Sequence, residues 1–226
     1  MDVTWTLLMP VTRPTCAWAA LWAASLGQTL RPSAVLVADN GPVSVTSRAE
    51  WRFVVDALTH AGIPVTVFRV LPGPDVNVGR MRHLLLSHAS GVRGLCDDDV
   101  LWEPRLAVRL CEAALRSPWA CALQLTPNNE SDIVGWRAPA FPSGQFGDEA
   151  DGRAYDVEHS SGHALFMAEY DGFLAGWARA TDDDYALTGH LGTGTRVVDR
   201  GCRAWEMAHS ENRKWRPNST SLGDAP

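Results

Sequence analysis

Apolar and polar positions are arranged in alternating blocks along the first half of the chain: short strand-like runs, each followed by a segment of helical period. Val3 to Met9 is apolar and predicts a first strand. Ala17 to Thr29 is rich in Ala, Leu and Trp at helical spacing, with Thr15 placed to cap it. Ala34 to Ala38 predicts a short buried strand ending at the turn cluster Asp39-Asn40-Gly41-Pro42. Ser47-Arg48-Ala49-Glu50 has the form of a capping box opening a helix to Ala61, which Gly62 stops. Val65 to Val70 alternates as a third strand. The Pro72-Gly73-Pro74 loop leads to a helix from Gly79 to His88, with Asn77 at its entry. Val92 to Cys96 is a fourth strand, Pro104 to Arg116 a helix, and Ala120 to Thr126 a fifth strand.

The pattern then breaks. About thirty residues from Pro127 to Ser161 lack clear periodicity, and a connection of that length is usually functional or disordered. Ala164 to Met167 resumes as a strand, Asp182 to Leu191 as a helix closed by Gly192, and Arg196 to Val198 and Arg203 to Met207 as two late strands. Strands separated by helices predict a single α/β domain over residues 1–217, with a largely parallel central sheet flanked by helices; residues 218–226 are expected to form a polar, mobile tail. Ligands of such sheets bind beyond the carboxyl ends of the strands. Pro10-Val11-Thr12, Asp39 and the Asp97 cluster fall at those ends, so chain direction gathers them on one rim.

Composition narrows the picture. The 226 residues are 46% hydrophobic and 20% charged with a net charge of -6, which suits a globular protein with a real core and gives no sign of nucleic-acid binding. The five cysteines, Cys16, Cys96, Cys111, Cys121 and Cys202, have no C-x-x-C spacing and predict reduced thiols in a cytoplasmic protein. No signal peptide and no apolar run long enough to span a membrane are expected, while peripheral attachment to a membrane surface is left open. Most of the ten Trp, including Trp18 and Trp22 at i,i+4 spacing, are expected in the core.

The chemistry concentrates at Asp97-Asp98-Asp99, in front of Val100-Leu101-Trp102-Glu103-Pro104. Two like charges 4 Å apart repel by roughly 4 kcal/mol at an effective dielectric of 20. Such a run is either a solvated acidic turn or a seat for a hard divalent ion of the kind that bridges phosphates. In an extended conformation Asp97 and Asp99 would point one way and Asp98 the other. Asp39 offers acceptors for a base N–H or a ribose hydroxyl; a turn-forming Asp before Asn40-Gly41 is the commoner role.

Taken in order, several segments resemble the GT-A-fold glycosyltransferases, in particular their large inverting family two. Leu8-Met9-Pro10-Val11-Thr12-Arg13 is similar to the family's opening strand and its V-I-P-T turn. Gln28-Thr29 with Val35-Leu36-Val37-Ala38-Asp39-Asn40-Gly41 resembles its Q-T and I-V-V-D-D-G-S segments. Arg80-Met81-Arg82-His83, with Ala89-Ser90-Gly91, resembles its A-R-N helix and A-x-G. Cys96 to Pro104 resembles the metal-binding D-x-D and the W-x-P after it, and Asp183-Asp184-Tyr185-Ala186-Leu187-Thr188-Gly189-His190-Leu191 the E-D-x-x-L-x-x-R-L segment. The resemblance spans about residues 3 to 210. It departs at His83, where the family has Asn, and at Asp183, where it has Glu.

The resemblance implies a transferase that moves a sugar from a nucleoside-diphosphate donor, a UDP-sugar favoured, to a hydroxyl acceptor. Pro10, Val11 and Thr12 would approach the base with backbone groups, Arg13 would reach base or phosphate, and Asp39 would contact uracil. Arg82 would grip phosphate with its fixed fork, leaving Arg80, two positions away, facing solvent. Asp99 would bind Mn²⁺ or Mg²⁺, with Asp97 or Asp98 on ribose or on the ion through water. His209 would be a further ligand that tilts the site toward Mn²⁺. Asp184 would be the general base, with Asp183 and Asp182 as alternates. The acceptor would lie over 127–161, near Trp136, His159 and His163, and Lys214 with Trp215 would belong to a closing flap. Two other readings compete. A sugar-phosphate nucleotidylyltransferase would carry a Gly- and Lys/Arg-rich loop after the first strand, which Pro10-Val11-Thr12-Arg13-Pro14 is not. A non-catalytic nucleotide-sugar-binding protein would bind the donor without turnover.

Overall fold

In a computed structural model of the chain, the structure describes residues 3–13, 15–71, 78–125, 153–157, 164–168, 191–198 and 202–207. The elements are β1 (Trp5–Val11), α1 (Ala17–Ala24), β2 (Ala34–Asp39), a 3₁₀ turn (Val45–Ser47), α2 (Ala49–His60), β3 (Val65–Arg69), α3 (Val78–His88), β4 (Val92–Cys96), β5 (Val100–Trp102), α4 (Leu106–Ala114), β6 (Ala120–Leu125), β7 (Arg153–Val157), β8 (Ala164–Met167), β9 (Gly194–Val198) and β10 (Arg203–Glu206).

The strands join in one sheet of order β3-β2-β1-β4-β8-β6-β10-β5, with β9 beside β6 and β7 beside β9. The first four run parallel, in the registers Val11↔Asp39, Leu8↔Leu95 and Asp39↔Arg69. β8 then inserts antiparallel between β4 and β6. Every residue of β1 and β4 is buried, as expected of parallel strands covered on both faces. Met81, Leu85 and Leu86 of α3 pack on one face against Leu8, Leu95 and Leu165. Residues of α1, α2 and α4 pack on the other against Leu7, Met9, Cys96 and Phe166. There Trp5, Trp102 and Phe166 form an aromatic cluster with ring centroids 5.1 to 6.1 Å apart, each such pair adding about 0.5–1.5 kcal/mol beyond its burial.

Several local expectations are corrected. Trp18 and Trp22 are 41% and 42% exposed. α1 has no polar residue, so periodicity could not choose its inner face. Its buried positions are Ala17, Ala20, Leu21 and Ala24, a face of three alanines and one leucine that packs inward and leaves the two indoles outside. The helix ends at Ala24 rather than Thr29, and Cys16, not Thr15, holds its N-cap position without a side-chain bond. Beyond it the buried Gln28 side chain donates to Ala23 O (2.7 Å) and Glu103 O (2.9 Å) and accepts from Ala107 N (2.9 Å). Gln28 therefore satisfies an orphan N–H in the first turn of α4 from a distant part of the chain. The capping box is also replaced. Ser47 Oγ donates to Ser44 O (2.7 Å), Ser44 caps the 3₁₀ turn, and α2 begins after Arg48 without a side-chain cap. Gly62, at φ 75°, stops α2 as expected. The tail at 218–226, the irregular 127–152 and 158–163 stretches and the helix expected over 182–190 lie outside the described residues; within 127–161 the structure instead forms β7, paired antiparallel with β9. No helix among the described residues is long and apolar enough to cross a membrane.

Candidate functional site

The carboxyl ends of β1, β2 and β4 are bonded directly to one another. Asn40 N donates to Val11 O (2.8 Å), tying β2 to β1. Thr12 N and Arg13 N both donate to Asp98 Oδ2, at 2.7 and 2.6 Å, tying β1 to the acidic triplet after β4. The triplet is a tight turn into β5, with Val100 N donating to Asp97 O (3.4 Å). It is not extended, so the alternation expected of its side chains does not hold. Asp98 and Asp99 both face Arg13, and Asp97 faces α3. From the far side, Met207 N donates to Asp99 O (2.7 Å) and brings the chain after β10 onto the same turn.

Asp98 is 1% exposed. Besides the two backbone donors it receives Arg13 Nε (3.1 Å) and Nη2 (2.8 Å) on Oδ1. Burial, followed by the repulsion of Asp99, pushes its carboxyl up to about 6, against the opposing pull of Arg13 and of the Thr12 and Arg13 N–H groups. Arg13 also reaches Asp99, Nη1 to Oδ2 at 2.9 Å. Its side chain is 29% exposed while both carboxylates are 2% exposed. Asp97 Oδ1 meets Arg82 Nη2 at 2.6 Å, and Arg82 is 3% exposed. Among the described residues, each carboxylate of the triplet thus has a guanidinium partner. Cys16, beside the cluster, keeps its proton, because burial and then Asp98 and Asp99 push the thiol up to about 11.

Asp39 is fully buried. Its Oδ1 accepts from Gly41 N (3.1 Å) and pairs with Arg69 Nη1 (3.1 Å); its Oδ2 accepts from Ser44 Oγ (2.7 Å) and Val45 N (3.0 Å). The contacts with Gly41, Ser44 and Val45 are those of a turn-forming Asp, and the contact with Arg69 is a cross-strand ion pair. Arg69, which sequence reasoning passed over, also donates to Gly41 O (2.7 Å). The signal for it was the register that sets Asp39 opposite Arg69 across adjacent strands. Pro10 and Val11 lie buried within β1, Val11 O is taken by Asn40, and the N–H groups of Thr12 and Arg13 are taken by Asp98. The backbone groups expected to meet a base are engaged inside the rim. On α3, Arg82 faces inward and Arg80 outward, as the helix period requires.

The structure therefore brings Pro10, Val11, Thr12, Arg13, Asp39, Arg82, Asp97, Asp98 and Asp99 to one rim. Asp182, Asp183, Asp184 and His209 lie outside the described residues, as do Asn77, Trp136, His159, His163, Lys214 and Trp215. Among the described residues no group of three His, Cys, Asp or Glu side chains forms a ready ion cage.

No protein-family model matches this sequence, and a search of curated proteins finds no match. Solved structures do match its fold. S. aureus TarS 1-349 superposes with a TM-score of 0.53 at 11% identity over 91% of this chain, and the longer S. aureus TarS with a TM-score of 0.55 at 11% identity over 91%. GalNAc-T7, solved with UDP, GalNAc and Mn²⁺, superposes with a TM-score of 0.63 at 10% identity over 92%. The present chain spans 60%, 37% and 44% of those three chains. The fold is the GT-A fold expected from the sequence.

Proposed function

We propose that this chain is an inverting, metal-dependent glycosyltransferase of the family-two type, transferring a sugar from a nucleoside-diphosphate donor, a UDP-sugar favoured, to an acceptor hydroxyl. The observation that carries the reading is the acidic turn bonded on one side to the end of β1, through Thr12 and Arg13, and on the other to Met207. A nucleoside diphosphate laid across this rim would come up against the acidic turn and the partly exposed Arg13 side chain. The structural likeness to GalNAc-T7, which holds UDP and Mn²⁺, supports the same use of the fold.

The donor set fits a hard divalent ion. The Asp97 and Asp99 carboxylates belong to one turn and are held by Arg82 and Arg13, and Mg²⁺ or Mn²⁺ is held by one or two carboxylates with the remaining positions filled by phosphate or water. His209 follows Met207 by two residues, and Met207 is bonded to Asp99 O. His209 is thereby the proposed nitrogen ligand, favouring Mn²⁺. When bound, the ion neutralises charge on the departing diphosphate. Within the chain, Asp98 holds Thr12 and Arg13 in place, Arg82 fixes Asp97, and Asp39 fixes the 40–45 turn beside the base. Asp184, or its neighbour Asp183, takes the proton of the acceptor hydroxyl as the sugar carbon is attacked from the face opposite the nucleotide.

The test is nucleotide release. Full-length protein, Mn²⁺, a panel of UDP-sugars and candidate acceptors should liberate UDP, and chelation of the ion should stop it. Asp184→Asn should lower transfer at least about 100-fold, the usual worth of a general base, while UDP binding stays intact. Pyrophosphate release from a nucleoside triphosphate and a sugar phosphate would instead identify a nucleotidylyltransferase.

A further inference from the structure

Arg13 occupies the position a divalent ion would contest. Its Nη1 lies 2.9 Å from Asp99 Oδ2, while the Nε and Nη2 edge of the same guanidinium holds Asp98 Oδ1 at 3.1 and 2.8 Å. The Asp98 edge is anchored further, because the Thr12 and Arg13 N–H groups bind that carboxylate. The two guanidiniums that the described residues place on the turn differ in freedom: the Arg82 side chain is 3% exposed and the Arg13 side chain 29%. An ion approaching Asp99 meets a guanidinium already on its oxygen. Of these two guanidiniums, Arg13 is the one with solvent access, its side chain being 29% exposed.

We propose that Arg13 is a positioning residue that exchanges partners on donor binding: it keeps its edge on Asp98, yields Asp99 to the ion, and turns Nη1 onto a phosphate oxygen of the donor. The idea rests on the glycosyltransferase reading and adds to it a specific device. Without a donor, Arg13 masks the ion site. With both present, neither carboxylate nor phosphate is left without a cation. Ion and nucleotide then bind cooperatively, and the fork geometry of arginine is required, since one planar group must serve Asp98 and phosphate together.

The experiment is titration of the full chain with Mn²⁺, following the free ion by its paramagnetic resonance signal, with and without saturating UDP. Wild type should bind Mn²⁺ weakly alone and more tightly with UDP. Arg13→Gln, folded by thermal melt, should bind Mn²⁺ alone about tenfold tighter and lose about tenfold in the UDP-dependent enhancement, within the usual range of coupling between sites. Arg13→Lys keeps the charge and loses the fork. It should hold the ion-only affinity within about threefold of wild type and still lose most of the enhancement. A folded Arg13→Gln with unchanged ion affinity and enhancement overturns the proposal, as does full enhancement in Arg13→Lys, which decides the matter should the Gln variant not fold. Wild type that binds neither Mn²⁺ nor UDP overturns this proposal together with the glycosyltransferase reading; the two failures are thus separable.

Discussion

At the scale of single residues, the site is a set of buried charges held by paired guanidiniums. Asp98 shows what that costs. Its carboxyl rises from 3.8 to about 6, chiefly through burial. A folded-state value above the unfolded one means the native protein binds the extra proton between those limits, so stability falls as pH rises from about 4 to about 6. The loss attributable to Asp98 is about 3 kcal/mol at 1.36 kcal/mol per unit. Urea midpoints of the metal-free protein across this range should show it. Asp98→Asn removes the titration, so wild type should lose stability relative to the variant as pH increases, by up to that amount. A difference that stays flat with pH would mean that burial does not govern this carboxyl. Arg69 and Gln28 belong to the same scale and were harder to foresee. Each acts through atoms far along the chain, Gln28 on Glu103 and Ala107 and Arg69 on Asp39 and Gly41. Only strand register or a structure supplies such partners.

At the scale of elements, periodicity was informative wherever an element had one covered face or alternated with turns. The strands at Val92–Cys96 and Ala164–Met167 and the helix ending at His88 stand where the sequence put them. β5 escaped because Val100–Trp102 has three residues and runs on from the acidic turn. β7 escaped because Arg-Ala-Tyr-Asp-Val has no apolar face, its stability coming from antiparallel pairing with β9. α1 was legible as a helix but not in orientation, having no polar face to mark the outside. The start of β9, packed against Trp119 just before β6, also turns on one small residue. A Cβ on Gly194 would stand 2.1 Å from the Trp119 ring, whose Nε1 donates to Gly192 O (2.6 Å). Trp119 is fully buried and cannot swing aside. Gly194→Ala should therefore destabilise by about 1–3 kcal/mol or more through overpacking, read as a lower urea midpoint. An unchanged midpoint would show that this packing relaxes freely.

At the scale of the whole molecule, chain direction was enough to gather strand ends on one rim, and hydrogen bonds across that rim join β1, β2, β4 and the end of β10. What direction alone could not supply was the state of the groups gathered there. Asp39 and the Thr12 and Arg13 N–H groups are spent on the rim itself. Ligand binding should report on the assembly as one unit. UDP with Mn²⁺, at 100 times its dissociation constant, should stabilise the fold by about 2.7 kcal/mol, or about 5–10 °C in Tm for a domain of this size. UDP alone should give less, and equal shifts with and without the ion would remove the metal from the account.

The span of the Thr12–Asp98 bond, 86 residues, carries a consequence for how the protein is born. At a synthesis rate of about 5–20 residues per second, roughly 4 to 17 s separate the emergence of these partners from the ribosome. Throughout that interval β1, apolar on both faces, lacks the β4 neighbour that will flank it. A chain in that condition exposes apolar surface and an unpaired strand edge, the state from which incomplete chains aggregate, so co-expression of a chaperone should raise its soluble yield.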